Sequence, residues 1–286
     1  MESSVTSANF MPRRYIQREG RGARVEFSSA GAAADLKACG FVTYDDFVNC
    51  RLGEQVHSSS LTTTRRLSLG GPLKGTVHYL KCYRFESRPW RVRLGRAKPA
   101  IEAANDAILR RIGVAVPEVT VFGSRRRFGV LVDGFILTVS VPKVVHLEDY
   151  VRSHRPKGRG ARFDSRCRRV MLDLAATVAR MHAAGFYHID LQWRNIVLSE
   201  VNPERPEVYL MDSVRGGIRR WSLMRRHGMI RDLAGLHKDA RQFLSATDQL
   251  FWLRSYFGVD RLTESHHALI RTILRDREIK SPRNDG

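Results

Sequence analysis

The first half of the chain carries the pattern of short strands. The segments LTTTRRLSL and TVHYLKCYRF are separated by Gly70-Gly71-Pro72, which predicts an antiparallel hairpin or meander. A helical pattern, AIEAANDAILRRIG, follows and ends at Gly113. The apolar run at 128–141 predicts two buried strands joined by a tight turn at Asp133-Gly134, in preference to a membrane segment. We therefore expect mostly sheet with one helix.

The second half is patterned as helices. In DSRCRRVMLDLAATVARMHAAG, apolar residues lie four, four and three positions apart, which is typical of the buried face of an amphipathic helix. These residues are Val170, Leu174, Val178 and Met181. Four other segments share the helical pattern: LEDYVRSH, RDLAGLHKDARQFL, ATDQLFWLRSYF and ESHHALIRTILRDR. The change from strands to helices predicts a boundary near 142–146.

These patterns predict an α+β fold with two lobes. Residues 1–30 mix Ser, Gly, Ala and Arg without a sustained period, so we expect a flexible basic arm there. Residues 31–142 are expected to form a small N-terminal lobe of antiparallel sheet with one helix. Residues 146–278 are expected to form a larger, mostly helical C-terminal lobe, followed by a tail at 279–286.

The charge of the chain favours polyanionic partners. Its 286 residues include 49 Lys and Arg against 29 Asp and Glu, a formal net charge of +20. Nucleic acid, anionic lipid headgroups and phosphorylated sugars all qualify, and charge alone does not choose among them. The excess is mostly arginine, which suits bidentate recognition of phosphate and carboxylate.

Cysteine spacing and hydropathy indicate a reducing compartment. The four cysteines include no C-x-x-C pair, so we expect neither a zinc site nor a disulfide framework. The N-terminus lacks the apolar core of a signal peptide, and no run of about 18 uncharged apolar residues is present. We therefore expect a cytoplasmic protein that touches a membrane only at its surface.

One segment, HIDLQWRNIVL, carries the H-x-D-x-x-x-x-N spacing of a kinase catalytic loop at His188, Asp190 and Asn195. In that chemistry the aspartate takes the proton of the acceptor hydroxyl, and the asparagine holds a magnesium ion on the nucleotide phosphates. Asp212 follows the apolar strand VYLM, where a second magnesium-binding carboxylate is needed, although such a residue is often a simple turn residue. The pattern predicts ATP and Mg²⁺ as cofactors.

Lys81 and Glu102 are predicted to form an ion pair at the nucleotide phosphates. Alternation in TVHYLKCYRF puts Lys81 on the more apolar face of its strand, where a charge needs a partner. A snorkelling lysine is the alternative. Glu102 is placed in the first turn of the next helix, where the dipole favours any acid, and Asp106 could compete for the lysine. The segment at 70–75 is a weak candidate for a glycine-rich phosphate loop, because it is not G-x-G-x-x-G. An ordinary hairpin turn explains it equally well.

Together these motifs resemble the lipopolysaccharide kinases that phosphorylate Kdo or heptose of the inner core, relatives of aminoglycoside phosphotransferases and protein kinases. The resemblance covers roughly residues 60–260. It rests on HYLKCY, the G-V-A-V-P after Glu102, HLEDYV, H-x-D-x4-N, RDLAGL and TDQLFWLRSYFG. It implies a bilobal protein-kinase-like fold, an anionic glycolipid acceptor and an anionic membrane surface, with no nucleic acid partner. The implied location is the cytoplasm, extending to the inner face of the cytoplasmic membrane.

The resemblance also implies roles for individual residues. Asp190 would be the catalytic base, and His188 would support its loop. Asp232 resembles the aspartate that braces such a loop through backbone hydrogen bonds, although a first-turn acid favoured by the helix dipole is the alternative. Lys81 and Glu102 would bind the nucleotide; Asn195 and Asp212 would bind both nucleotide and metal.

Three residues depart from the usual kinase pattern, namely Ile189, Gln192 and Ser213. They leave two other functions open. A protein kinase or small-molecule kinase would share the site and differ in its acceptor. A non-catalytic pseudokinase would use the same fold to bind anionic lipid or nucleic acid.

Overall fold

The computed structural model describes residues 14–86, 88–154 and 164–278. They fall into two compact units: the first comprises residues up to 107 together with 118–140, and the second comprises 108–117 and the chain from 141 onward. The predicted boundary at 142–146 lies close to this division. The assignment of 108–117 to the second unit was not predicted. The expected tail at 279–286 lies outside the described residues.

The first unit contains a seven-stranded antiparallel sheet, as predicted for the N-terminal part. The strand order is β1-β2-β6-β7-β5-β4-β3. The strands are β1 (Tyr15–Glu19), β2 (Ala23–Phe27), β3 (Glu54–Ser58), β4 (Thr62–Ser68), β5 (Val77–Arg84), β6 (Val119–Arg127) and β7 (Val130–Val139).

The strands β1 and β2 lie within the segment expected to be a flexible arm, so that expectation is wrong for residues 15–27. In β2 the side chains of Ala23, Val25 and Phe27 are buried, and arginine and glutamate alternate with them. The edge strand β1 is largely exposed and needs no apolar alternation, which is why its pattern shows no period. Residues 1–13 of the expected arm lie outside the described residues.

The strand β7 runs without interruption through Asp133 and Gly134, so the predicted turn at these residues is wrong. The reversal lies earlier, at Phe128 and Gly129, whose φ values are +50° and +78°. Gly134 is needed because a Cβ there would lie 3.0 Å from a backbone oxygen of the neighbouring strand. Asp133 is held inside the sheet by two donors, the guanidinium of Arg125 and the hydroxyl of Tyr44.

Four helices accompany this sheet, where one was expected. They are α1 (Ala30–Ala38), α2 (Tyr44–Val48), α3 (Trp90–Leu94) and α4 (Lys98–Arg111). The three additional helices have five to nine residues, too few to show a helical period. Capping starts two of them: the Ser29 hydroxyl accepts from the backbone of Ala32, and Thr43 forms a capping box with Asp46.

The second unit is mostly helical, as predicted. Its helices are α5 (Leu147–Ser153), α6 (Ser165–Ala183), α7 (Ser222–Phe243), α8 (Ala246–Phe257) and α9 (Glu264–Glu278). Its strands are β8 (Val144–His146), β9 (Phe186–Tyr187), β10 (Ile196–Ser199), β11 (Glu207–Leu210) and β12 (Gly217–Ile218). The predicted apolar face of α6 is fully buried in the core of this unit. Among the described residues, no helix has the length and apolar character needed to cross a membrane.

Candidate active site

The loop at residues 188–195 brings two predicted site residues together. It leaves β9, closes with a short 3-10 helix at Trp193–Asn195, and continues into β10. The side-chain amide of Asn195 donates to the backbone oxygen of Asp190 at 2.8 Å. The backbone N–H of Asn195 donates to the oxygen of Gln192 at 2.9 Å. The five-residue spacing is therefore a closed turn in which the asparagine holds the aspartate.

The carboxylate of Asp190 is oriented yet accessible. Its Oδ1 accepts from the side-chain amide of Gln192 at 2.7 Å, and its Oδ2 lies 3.6 Å from the guanidinium of Arg194. The side chain is 20% exposed. Gln192, a departure from the usual kinase residue, therefore fixes one carboxylate oxygen, and the other lies near the guanidinium of Arg194.

Asp232 holds the start of this loop from within α7. Its carboxylate accepts from the backbone N–H groups of His188, at 2.8 Å, and of Ile189, at 2.6 Å. Both backbone hydrogen bonds expected of a bracing aspartate are present. Because α7 begins at Ser222, Asp232 lies in the middle of the helix, so the first-turn alternative does not apply. Ile189 has a φ of +69°, which is rare for a β-branched residue and needs such support.

The segment that carries Asp212 is hydrogen-bonded to the same loop. His188 is fully buried, and its Nε2 donates to the backbone oxygen of Met211 at 2.9 Å, which assigns the proton to Nε2. The backbone N–H of Met211 donates to the oxygen of Asn195 at 2.9 Å. Asp212 follows with φ +58° and ψ +49°, a left-handed conformation that aspartate tolerates.

The donor chemistry of Asn195 and Asp212 fits magnesium. The amide nitrogen of Asn195 is used by Asp190, which leaves its oxygen as a ligand, and Asp212 adds a carboxylate. Hard oxygen donors in small number suit Mg²⁺, because phosphate oxygens and water complete its shell. Within the described ranges, no group of three or more His, Cys, Asp or Glu side chains could hold a metal ion.

Lys81 and Glu102 form the predicted ion pair in the first unit. The Nζ of Lys81 lies 3.8 Å from Oε2 of Glu102, and the side chains are 24% and 9% exposed. Tyr83, which sequence reasoning missed, donates its hydroxyl to the same oxygen at 2.5 Å. Glu102 is the fifth residue of α4, so it is not the first-turn acid that was expected. Both faces of β5 contain buried residues, since Leu80, opposite Lys81, is 1% exposed and Tyr83, on the same face as Lys81, is 3% exposed.

The glycine-containing segment at 70–75 connects β4 to β5. It contains a 3-10 turn at Gly71–Leu73, and Gly71 and Gly75 have φ values of +54° and +87°. The thiol of Cys39 donates to the oxygen of Gly70 at 3.1 Å. These contacts describe a hairpin connection, one of the two interpretations left open by the sequence.

Two further polar residues near the loop, His182 and Tyr256, were also missed. Both are buried, and His182 lies 3.1 Å from Asp232 and 2.7 Å from the Tyr256 hydroxyl. The signal that could have found His182 is its position beside Met181 on the otherwise apolar face of α6.

Comparisons with known proteins identify a family and a fold. A model of the lipopolysaccharide kinase (Kdo/WaaP) family matches residues 81–256, more than half of the chain and a range that includes all seven predicted site residues. Among solved structures, one of WaaP in complex with acyl carrier protein matches with a TM-score of 0.62 and 21% identity. The match covers 85% of this chain and 95% of that one, and at this identity it shows the fold. A search of curated proteins finds no match.

Proposed function

Because the chain belongs to the lipopolysaccharide kinase (Kdo/WaaP) family, we propose that it transfers the γ-phosphoryl group of ATP to a heptose or Kdo hydroxyl of the lipopolysaccharide inner core. The observation that carries this proposal is the loop 188–195. It holds the carboxylate of Asp190 in a defined orientation, with the side chain 20% exposed.

In this reaction Asp190 is the base. Its carboxylate accepts the proton of the acceptor hydroxyl while the acceptor oxygen bonds to the γ-phosphorus and the bond from that phosphorus to the leaving ADP oxygen breaks. Gln192 and Asn195 keep the carboxylate and its backbone in place. Lys81, held by Glu102, contributes a positive charge to nucleotide phosphate.

Asn195 and Asp212 are the residues that would hold Mg²⁺, which neutralises phosphate charge when bound. The variants Asn195→Ala and Asp212→Asn test this role. Each should raise the magnesium concentration needed for half-maximal activity or abolish activity, because each removes or weakens one of two oxygen ligands. Magnesium titrations that match the wild type in both variants would remove these residues from the role.

Nucleotide binding distinguishes an active kinase from the pseudokinase alternative. The side chain of Gln192 makes a hydrogen bond to Asp190 that supports the loop, so this departure is compatible with catalysis. ATP with Mg²⁺ at 100 times its dissociation constant should stabilise the protein by about 2.7 kcal/mol. A binding platform without catalysis predicts no magnesium-dependent shift in melting temperature and no phosphoryl transfer.

The acceptor is proposed to be anionic and presented at the inner face of the cytoplasmic membrane. The net charge of +20 would favour encounter with such an acceptor. Screening over about 8 Å at 0.15 M salt should therefore raise the KM for deacylated core oligosaccharide as salt increases, and the KM for ATP less. If a neutral sugar or a peptide is phosphorylated as efficiently, and salt has no effect, the glycolipid acceptor is wrong and a small-molecule or protein kinase takes its place.

We extend the proposal to a protein partner, an acyl carrier protein, because the solved WaaP structure contains one. The formal net charge of +20 would strengthen binding to any partner with an acidic surface at low salt. Adding purified acyl carrier protein should raise the melting temperature at low salt and lose that effect at high salt. Equal melting temperatures with and without it at low salt would contradict this extension.

A further inference from the structure

The loop 188–195 begins with a strained residue that one buried carboxylate holds. Ile189 has a φ of +69°, and its backbone N–H donates to Asp232 at 2.6 Å. The neighbouring N–H of His188 donates to the other carboxylate oxygen at 2.8 Å. The orientation of the Asp232 carboxylate therefore sets the backbone immediately before Asp190.

His182 on α6 supplies a third donor to this carboxylate. Its Nε2 lies 3.1 Å from Oδ2 of Asp232, which is fully buried. An ionised carboxylate can only accept, so Nε2 carries the proton. The imidazole is 4% exposed and stacks on Tyr187, with ring centroids 4.8 Å apart. The ring is thus confined between the core and the residue that precedes the loop.

Tyr256 on α8 fixes the tautomer of this histidine. Its hydroxyl lies 2.7 Å from Nδ1 of His182. When the ring carries its proton on Nε2 alone, Nδ1 accepts and the tyrosine donates. Burial raises the pKa of Tyr256, which keeps the hydroxyl protonated. Trp252 stacks on the tyrosine ring with centroids 5.6 Å apart, so the donor itself is held in place.

We propose that Tyr256 and His182 are positioning residues for phosphoryl transfer, which orient the Asp232 carboxylate and through it the backbone that presents Asp190. The inference rests on the proposed function for the role of Asp190. In this proposal neither residue contacts the substrate. Loss of either donor should therefore lower kcat and leave the KM values for ATP and acceptor nearly unchanged.

Three variants and a matched control test the proposal. Tyr256→Phe removes one hydroxyl, His182→Phe removes both ring nitrogens, and His182→Gln returns an N–H donor near the position of Nε2. The control is Tyr150→Phe, in the same unit. The Tyr150 hydroxyl is buried and has no hydrogen-bond partner among the described residues.

The first readout is transfer of labelled phosphate from ATP to deacylated inner-core oligosaccharide. We expect kcat to fall about 10–100-fold in His182→Phe and about 3–10-fold in Tyr256→Phe, with KM within about twofold. His182→Gln should recover most of the loss, and Tyr150→Phe should match the wild type. A general loss of packing would lower activity in Tyr150→Phe as well and would not be rescued by glutamine.

The second readout is independent of turnover. Amide hydrogen exchange at His188 and Ile189 should become faster in Tyr256→Phe and His182→Phe but not in Tyr150→Phe, because their acceptor loses its fixed orientation. If the wild type transfers no phosphate, the proposed function fails, and exchange still decides the positioning role. If Tyr256→Phe equals Tyr150→Phe in both exchange and kcat, or if glutamine at 182 restores neither, the positioning role is overturned.

Discussion

The two clusters of site residues are held in different ways. In the first unit, Lys81 is held by Glu102, a side chain on another element, with 3.8 Å between nitrogen and oxygen. In the second unit, Asp190 is held through the backbone of its loop. Asn195 donates to the backbone oxygen of Asp190, and Asp232 accepts from the backbone N–H groups of the two preceding residues, at 2.6–2.8 Å. The ion pair in the first cluster is long, whereas the hydrogen bonds in the second are short.

The side chains of Asp190 and Lys81 therefore owe their orientation to different causes. A loop fixed by buried backbone hydrogen bonds is preorganised, because folding has already removed its freedom. The Lys81 side chain is 24% exposed and lies 3.8 Å from Glu102, so a bound phosphate could add to its orientation. Changes in the loop region should therefore alter chemistry or stability strongly, and changes in the ion pair should alter nucleotide affinity modestly.

The largest effect is expected from Asp190→Ala. A positioned general base contributes about 10²–10⁴-fold, so turnover should fall by that factor. The melting temperature should stay nearly unchanged, because the backbone oxygen that Asn195 binds is retained. Steady-state phosphoryl transfer and thermal unfolding measure the two quantities. Asp149→Ala, which removes an exposed carboxylate from α5, is the control. Turnover within about tenfold of the wild type would remove Asp190 from the role of base.

The same contrast explains what the sequence could predict. His188, Asp190 and Asn195 are brought together by local chain geometry, so their spacing was enough to place them on one loop. Lys81 and Glu102 required only a strand followed by a helix, and the pair is present. All of these contacts lie within short or regular segments, where sequence patterns are informative.

The features that sequence reasoning missed depend on tertiary contacts. Asp133 and Gly134 have the composition of a turn, yet the neighbouring strand and an arginine hold them in β7. His182 and Tyr256 are 74 residues apart in the sequence, so no local pattern predicts their hydrogen bond. The start of α7 at Ser222 was missed because its first turns are largely exposed and lack a strong apolar period.

A second test concerns stability in the loop region. Asp232→Ala would leave two backbone N–H groups and His182 without their buried acceptor, so we expect a loss of about 3 kcal/mol in the free energy of unfolding. Asp239→Ala is the matched variant on the same helix. It removes one acceptor, for the N–H of Trp193, at a partly exposed position, and should cost about 1 kcal/mol. Chemical denaturation measures both, and equal losses would contradict the bracing role of Asp232.

The smallest effect is expected in the first unit, from Lys81→Met. The substitution keeps the apolar stem of the side chain and removes the charge that Glu102 binds, while Tyr83 still donates to that carboxylate. Because the ion pair is long and partly exposed, the free energy of unfolding should change by less than about 1 kcal/mol. The KM for ATP should rise about tenfold, equivalent to about 1.4 kcal/mol, because a phosphate contact is lost. Lys74→Met, in the exposed hairpin connection at 70–75, makes the same change in charge and should leave the KM for ATP unaltered. If Lys74→Met raises the KM for ATP and Lys81→Met does not, the hairpin connection binds the phosphate and Lys81 does not.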